Sequence, residues 1–115
     1  MKIQIPLKLS NWNDIIKQCR YNKYSANSHK QTEMEQISSY IENMPKITRY
    51  PIKIVFKWHI KNKTSDLDNK SIKSILDEMQ RLNIIKNDNI KYINEITHIA
   101  IPDKEDYVEV EIIND

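Results

Sequence analysis

Apolar positions fall at two different spacings along this chain, and the alternation between them predicts the elements. Residues 2–8 alternate apolar and polar, which predicts a strand, and Pro6 places it at a sheet edge. Ser10 reads as the cap of a short helix through Ile15, Ile16 and Cys19. The segment from Arg20 to Asn27 has no period. A second helix is expected from about Ser28, where Gln31 completes a capping box, to Met44, with Met34, Ile37, Tyr40, Ile41 and Met44 on one face. Residues 52–60 form the clearest strand, because Ile52, Ile54, Phe56, Trp58 and Ile60 alternate with Lys53, Val55, Lys57 and His59. A third helix is expected over about 69–82, with Ile72, Ile75, Leu76, Met79 and Leu82 as its buried stripe. Asn83 then takes the left-handed position that glycine usually fills. Residues 92–101 and 107–113 read as two closing strands joined by the turn 102–106, with Val108, Val110 and Ile112 facing in. The expected architecture is one small α+β domain over 1–115, a mixed sheet with helices.

Composition narrows the classes. A chain of 115 residues, 39% hydrophobic, buries roughly 65% of its unfolded surface, enough for a core without staples. The lone Cys19 fits a reducing compartment, and no apolar run approaches the roughly 20 residues of a membrane helix. The expectation is therefore a cytoplasmic protein with no membrane partner. Glycine is absent while asparagine occurs 12 times, so glycine-rich phosphate loops are excluded and positive-φ positions must fall to Asn or Asp. The net charge of +2 hides a division: residues 1–63 carry 12 Lys+Arg against 4 Asp+Glu, and residues 64–115 carry 6 against 12. That split predicts either a basic surface for a polyanion beside an acidic, cation-binding one, or two surfaces that neutralise each other.

The chemistry concentrates at Asp66-Leu67-Asp68-Asn69. Side chains two apart in an extended segment share a side, so Asp66 and Asp68 can converge, and Asp88 in the turn Asn87-Asp88-Asn89 offers a third carboxylate. Three such oxygens suit a hard cation such as Mg²⁺. Helix capping by Asp68 or Asn69 is the structural alternative, but one cap explains only one acid. Lys70 and Lys73 stand at the helix start, where the macrodipole disfavours cations, so they fit a carboxylate cluster or a phosphate. For Lys73 an ion pair with Asp77 is the alternative. Lys17, Arg20, Lys23 and Lys30, interleaved with Tyr21 and Tyr24, form a candidate nucleic-acid surface, which Lys61, Lys63 and Lys70 extend. Phe56 and Trp58 read as core. His29, His59 and His98 lack metal-ligand spacing.

Taken together, Ile5-Pro6, Arg20-Tyr21-Asn22-Lys23-Tyr24, Asp66-Leu67-Asp68-Asn69, Ile75-Leu76-Asp77 and Ile84-Ile85-Lys86-Asn87-Asp88-Asn89 give a chain that resembles the RusA family of Holliday-junction resolvases, especially its phage-encoded members. The resemblance covers nearly the whole length. It implies a homodimeric, Mg²⁺-dependent endonuclease, with Mn²⁺ as a substitute, that cuts branched four-way DNA by paired nicks in recombination and repair. It also implies a bacterial host cytoplasm and a phage or prophage origin. By position, Asp66, Asp68 and Asp88 would be the catalytic metal ligands. The family's helical lysine falls at Ile72 by strict count, and Lys73, one residue later, is assigned its role of stabilising charge on the phosphate. Asn83 stands where the family has glycine, and Asn87 where a second acid often accompanies the turn Asp. Two other functions compete: a DNA-binding module whose acids only cap and solvate, and a metal-dependent phosphoesterase with another substrate.

Overall fold

The computed structural model describes residues 1–7, 9, 23–67 and 70–114, with only the backbone of 23–30. The expected helix through Ile15, Ile16 and Cys19 lies outside them. In chain order the described elements are β1 (Lys2–Ile5), α1 (Lys23–Ile41), β2 (Ile52–Ile60), α2 (Lys73–Arg81), β3 (Ile93–Pro102) and β4 (Tyr107–Ile113). They form a small α+β fold with one four-stranded mixed sheet ordered β1-β4-β2-β3. β2 runs parallel to β3 and antiparallel to β4, and β1 pairs antiparallel with β4.

The alternation in β2 decides the layering. Ile52, Ile54, Phe56, Trp58 and Ile60 are all buried, and across the ladder Val108, Val110 and Ile112 of β4 are buried beside them. Ile37 and Ile41 of α1 and Ile75, Leu76 and Met79 of α2 join the same cluster, so both helices supply the layer over this face. Each fully buried large side chain, such as Phe56 or Ile54, contributes about 1.5–3 kcal/mol relative to exposure. On the opposite face Lys57 stands between Glu109 and Glu111, at 3.8 and 3.6 Å. There the basic half of the sequence neutralises part of the acidic half.

Several elements differ from their expected bounds. α1 begins at Lys23, five residues before the expected cap at Ser28. The stretch before Ser28 has too few apolar residues to print a period, yet neither Gly nor Pro interrupts it, so nothing local stops the helix. Its buried line runs through Glu33, Ile37 and Ile41, while Tyr40, expected on the inner face, is exposed. α2 begins at Lys73 rather than near Asn69, with Ile72 at its cap position and no side-chain cap; Ser71 Oγ accepts the Lys73 N–H at 3.4 Å. The cap position of α2 is thus held by Ile72, beyond the Asp66–Asn69 segment, of which Asp68 and Asn69 lie outside the described residues. Asn83 does take φ 59°, as expected. The two closing strands are not neighbours. They flank β2, because β3 returns parallel to it through α2 and the turn 103–106 then crosses over the end of β2. Asp103 N–H donates to the Ile60 carbonyl at 3.0 Å, and Lys61 N–H donates to Asp106 Oδ1 at 2.9 Å, which ties that crossing down.

Candidate functional site

The acidic loop begins where β2 runs out of apolar residues. Asn62 folds it into a turn: its Oδ1 accepts the Thr64 N–H at 3.1 Å and the Thr64 hydroxyl at 2.7 Å. Ser65 N–H then donates to the Asn62 carbonyl at 3.1 Å. Asp66 follows, exposed, while Leu67 folds back onto the core and anchors the loop. Lys70 N–H donates to the Leu67 carbonyl at 3.2 Å. Asp68 and Asn69 lie outside the described residues. Among the described residues no cation pairs with Asp66.

Asp88 sits in a second turn built by its neighbours. Asn87 Oδ1 accepts the N–H groups of Asp88 (2.7 Å) and Asn89 (3.3 Å), and Asn89 Oδ1 accepts that of Lys91 (3.0 Å). Asn87, which the resemblance treats as a lost acid, is thus occupied in holding the turn. The half-buried Asp88 carboxylate forms no ion pair among the described residues.

The two turns do not meet within one chain. Asp66 follows the C-terminal end of β2. Asp88 lies beside its N-terminal end, where Ile52 N–H donates to the Tyr92 carbonyl at 2.8 Å and Lys86 N–H to the Tyr50 hydroxyl at 3.0 Å. Nine residues of strand separate these ends, which is about 26 Å at roughly 3.3 Å per step. Among the described residues no three His, Cys, Asp or Glu side chains are grouped closely enough to hold a metal ion.

Of the expected basic residues, Lys73 opens α2 with its side chain exposed and paired to Asp77 at 3.4 Å, a surface pair contributing about 0.3–0.5 kcal/mol. Ile72, the strict-count position, packs against the core. Lys61 and Lys63 are exposed beside Asn62, and Lys70 is half-buried. Lys23 and Lys30 belong to α1, with side chains that are not described, and Lys17 and Arg20 lie outside the described residues.

The sequence reading missed a cluster at this same end of the sheet. His59 Nδ1 lies 2.9 Å from Asp103 Oδ2, and its ring stacks on Tyr107 with centroids 4.0 Å apart. The backbone bond from Lys104 and then the His59 contact hold the Asp103 carboxyl below its usual range, while burial and then the Asp103 charge raise Tyr107. His59 Nε2 is buried without a partner among the described residues. These residues are 44 apart in sequence, so no local spacing announces them. Between β2 and β3, the Trp58 indole N–H donates to His98 Nδ1 at 2.9 Å, and burial lowers the His98 pKa.

No family model matches the chain, and no curated protein matches it.

Proposed function

We propose that this protein is a Mg²⁺-dependent endodeoxyribonuclease of the RusA type, which resolves four-way DNA junctions by paired nicks as a two-fold homodimer. The observation that carries the reading is the placement of Asp66 and Asp88. Both are accessible carboxylates on side-chain-braced turns, both lack an ion-pair partner among the described residues, and they stand at opposite ends of one strand. An accessible carboxylate left without a counter-charge is available to a hard cation. Asp66 and Asp88 stand at opposite ends of β2 in one chain, and Asp68 lies outside the described residues, so in this reading a second copy supplies the acid that completes the Mg²⁺ set.

The β3 edge is suited to bring that copy. It is ten residues long, carries one charged residue, Glu95, and leaves Ile96 and Ile99 41% and 40% exposed; a long edge with exposed apolar side chains is a template for pairing with another strand. Antiparallel pairing of β3 with its copy lays the start of one strand against the end of the other. In that arrangement Asp88 would lie at the same end of the joined sheet as the partner's Asp66, two to three strand spacings away, or about 10–14 Å. Two sites related by a two-fold axis suit a junction of approximate two-fold symmetry.

When bound, Mg²⁺ supplies Lewis-acid activation of water and neutralises phosphate charge. The protein's own part is to hold Asp66, Asp68 and Asp88 as hard oxygen donors and to keep Lys61, Lys63 and Lys70 near the backbone as counter-charges. Lys73, engaged with Asp77, would have to leave that weak pair to reach a phosphate. A synthetic four-way junction incubated with and without Mg²⁺ tests the reading: paired nicks only with metal, or with Mn²⁺ in its place, support it. The separation of the acids in one chain favours a second reading, a DNA-binding module without catalysis. Metal-independent junction binding with no nicking would select that.

A further inference from the structure

The counter-charges named so far, Lys61, Lys63 and Lys70, follow the C-terminal end of β2 with Asp66, and none belongs to the turn that carries Asp88. That turn has cations of its own. Lys86 and Lys91 are exposed and lie two residues before and three after Asp88, yet neither pairs with it or with any other acid among the described residues. Each sits over an aromatic ring instead. Lys86 Nζ is 5.9 Å from the centre of Tyr50 and Lys91 Nζ is 5.5 Å from that of Tyr92, where the negative face of the ring attracts the ammonium. The two rings meet edge to face with centroids 5.1 Å apart. Lys46 and Arg49, also exposed and without an acid partner among the described residues, belong to a connector tied to this end of the fold, since Ile47 N–H donates to the Ile84 carbonyl at 2.8 Å.

The turn is set before anything binds. The Tyr50 hydroxyl donates to the Ile47 carbonyl and accepts the Lys86 N–H, both at 3.0 Å. The Asn89 carbonyl accepts the N–H groups of Tyr92 at 3.0 Å and Ile93 at 2.9 Å, beside the asparagine side-chain bonds that brace the turn. Within it Ile90 is 89% exposed, the most exposed large hydrophobic among the described residues. A lone exposed isoleucine is ordinary. One on a braced turn, between cations and a carboxylate that do not neutralise each other, asks for a ligand that matches all three. A sugar–phosphate backbone does so: its phosphates are discrete, and apolar sugar surface lies between them. An anionic membrane fits less well. One isoleucine gives too little apolar face to lie in a bilayer, and Asp88 would stand against a continuous sheet of negative charge.

We infer that the turn 86–91 is a clamp for the DNA backbone, in which Lys86 and Lys91 hold the phosphates on either side of the one that faces Asp88, and Ile90 packs against the intervening sugar. The clamp gives the Asp88 half of the shared site the counter-charge that Lys61, Lys63 and Lys70 give the Asp66 half. It deepens the reading of the protein as a DNA nuclease and rests on it.

The test is read by binding, without metal or cleavage, from the anisotropy of a labelled four-way junction over a range of salt concentrations. Lys86→Gln with Lys91→Gln should weaken binding and shallow the log–log salt slope by about 0.9 for each phosphate no longer neutralised. Ile90→Ser should weaken binding about tenfold, the loss of roughly half the burial of an isoleucine, and leave the slope unchanged. All three side chains are exposed, so the variants should fold. An unchanged slope in the double lysine variant, or an Ile90→Ser protein that binds as wild type does, overturns the clamp. So does a protein that needs the two lysines to bind phosphatidylserine vesicles but not to bind the junction. A chain that shows both expected changes but nicks no junction with Mg²⁺ supports the clamp and refutes only the nuclease reading. A chain that nicks junctions while the double variant keeps the wild-type slope refutes only the clamp.

Discussion

Lowering the pH from 7 to 5 should weaken this fold through His98. The Trp58 indole is 5% exposed and donates to His98 Nδ1 at 2.9 Å, so that nitrogen must carry a lone pair. Burial lowers the His98 pKa from the ordinary 6.5, and a hydrogen bond accepted only by the neutral ring acts in the same direction. A depressed histidine binds its proton less readily folded than unfolded. Its contribution is therefore complete above 6.5, and it is lost as the pH falls from there toward the folded-state value. What disappears is one neutral hydrogen bond, about 0.5–1.5 kcal/mol, and the unpaired indole N–H brings the total toward about 1–2 kcal/mol. In urea this lowers the midpoint by about 0.5–1 M. His98→Gln keeps an acceptor for the indole but cannot titrate. Urea unfolding at pH 7 and pH 5 should show wild type losing about 1 kcal/mol more than His98→Gln. Equal losses in the two proteins would refute the reasoning.

Three further outcomes follow from other elements. Asn83, at φ 59°, should tolerate glycine with little change, whereas Asn83→Ala should cost about 1–2 kcal/mol in thermal or urea unfolding. Replacing both Lys23 and Lys30 with Glu should weaken DNA binding at low salt and shallow the log–log salt slope by about 0.9 for each phosphate that is no longer neutralised; an unchanged slope would mean those lysines touch no phosphate. Ile96→Asp with Ile99→Asp should leave the chain folded but reduce its mass in light scattering to the 13.8 kDa of one protomer and abolish paired nicking.

Periodicity carried most of the elements, although Tyr40, expected on the inner face of α1, is exposed. β2, β4 and the buried stripe of α2 were legible because half-buried strands and amphipathic helices print their periods directly, and Asn83 was legible because a glycine-free chain has few other residues for that position. The first five residues of α1, Lys23 to Asn27, were not, since a stretch with few apolar residues prints no period. The order of the strands was also hidden: a four-residue turn between β3 and β4 looks like a hairpin, and only the crossover through α2 reveals that β2 lies between them. The acids were visible as a pattern, but their distance apart depends on α2 running back along the sheet, which spacing along the chain does not encode. The His59–Asp103–Tyr107 cluster is a product of that same topology.

Shared assembly of the site is the central claim, and complementation between two inactive variants tests it most directly. Asp66→Asn and Asp88→Asn should each abolish Mg²⁺-dependent cleavage of a four-way junction when assayed alone. Mixed and allowed to exchange subunits, they form heterodimers in which one site combines an intact Asp66 from one chain with an intact Asp88 from the other. The mixture should regain cleavage, nicking one strand of each junction and leaving the opposite strand whole. A mixture as inactive as either variant alone, made from chains shown to exchange, would contradict shared assembly.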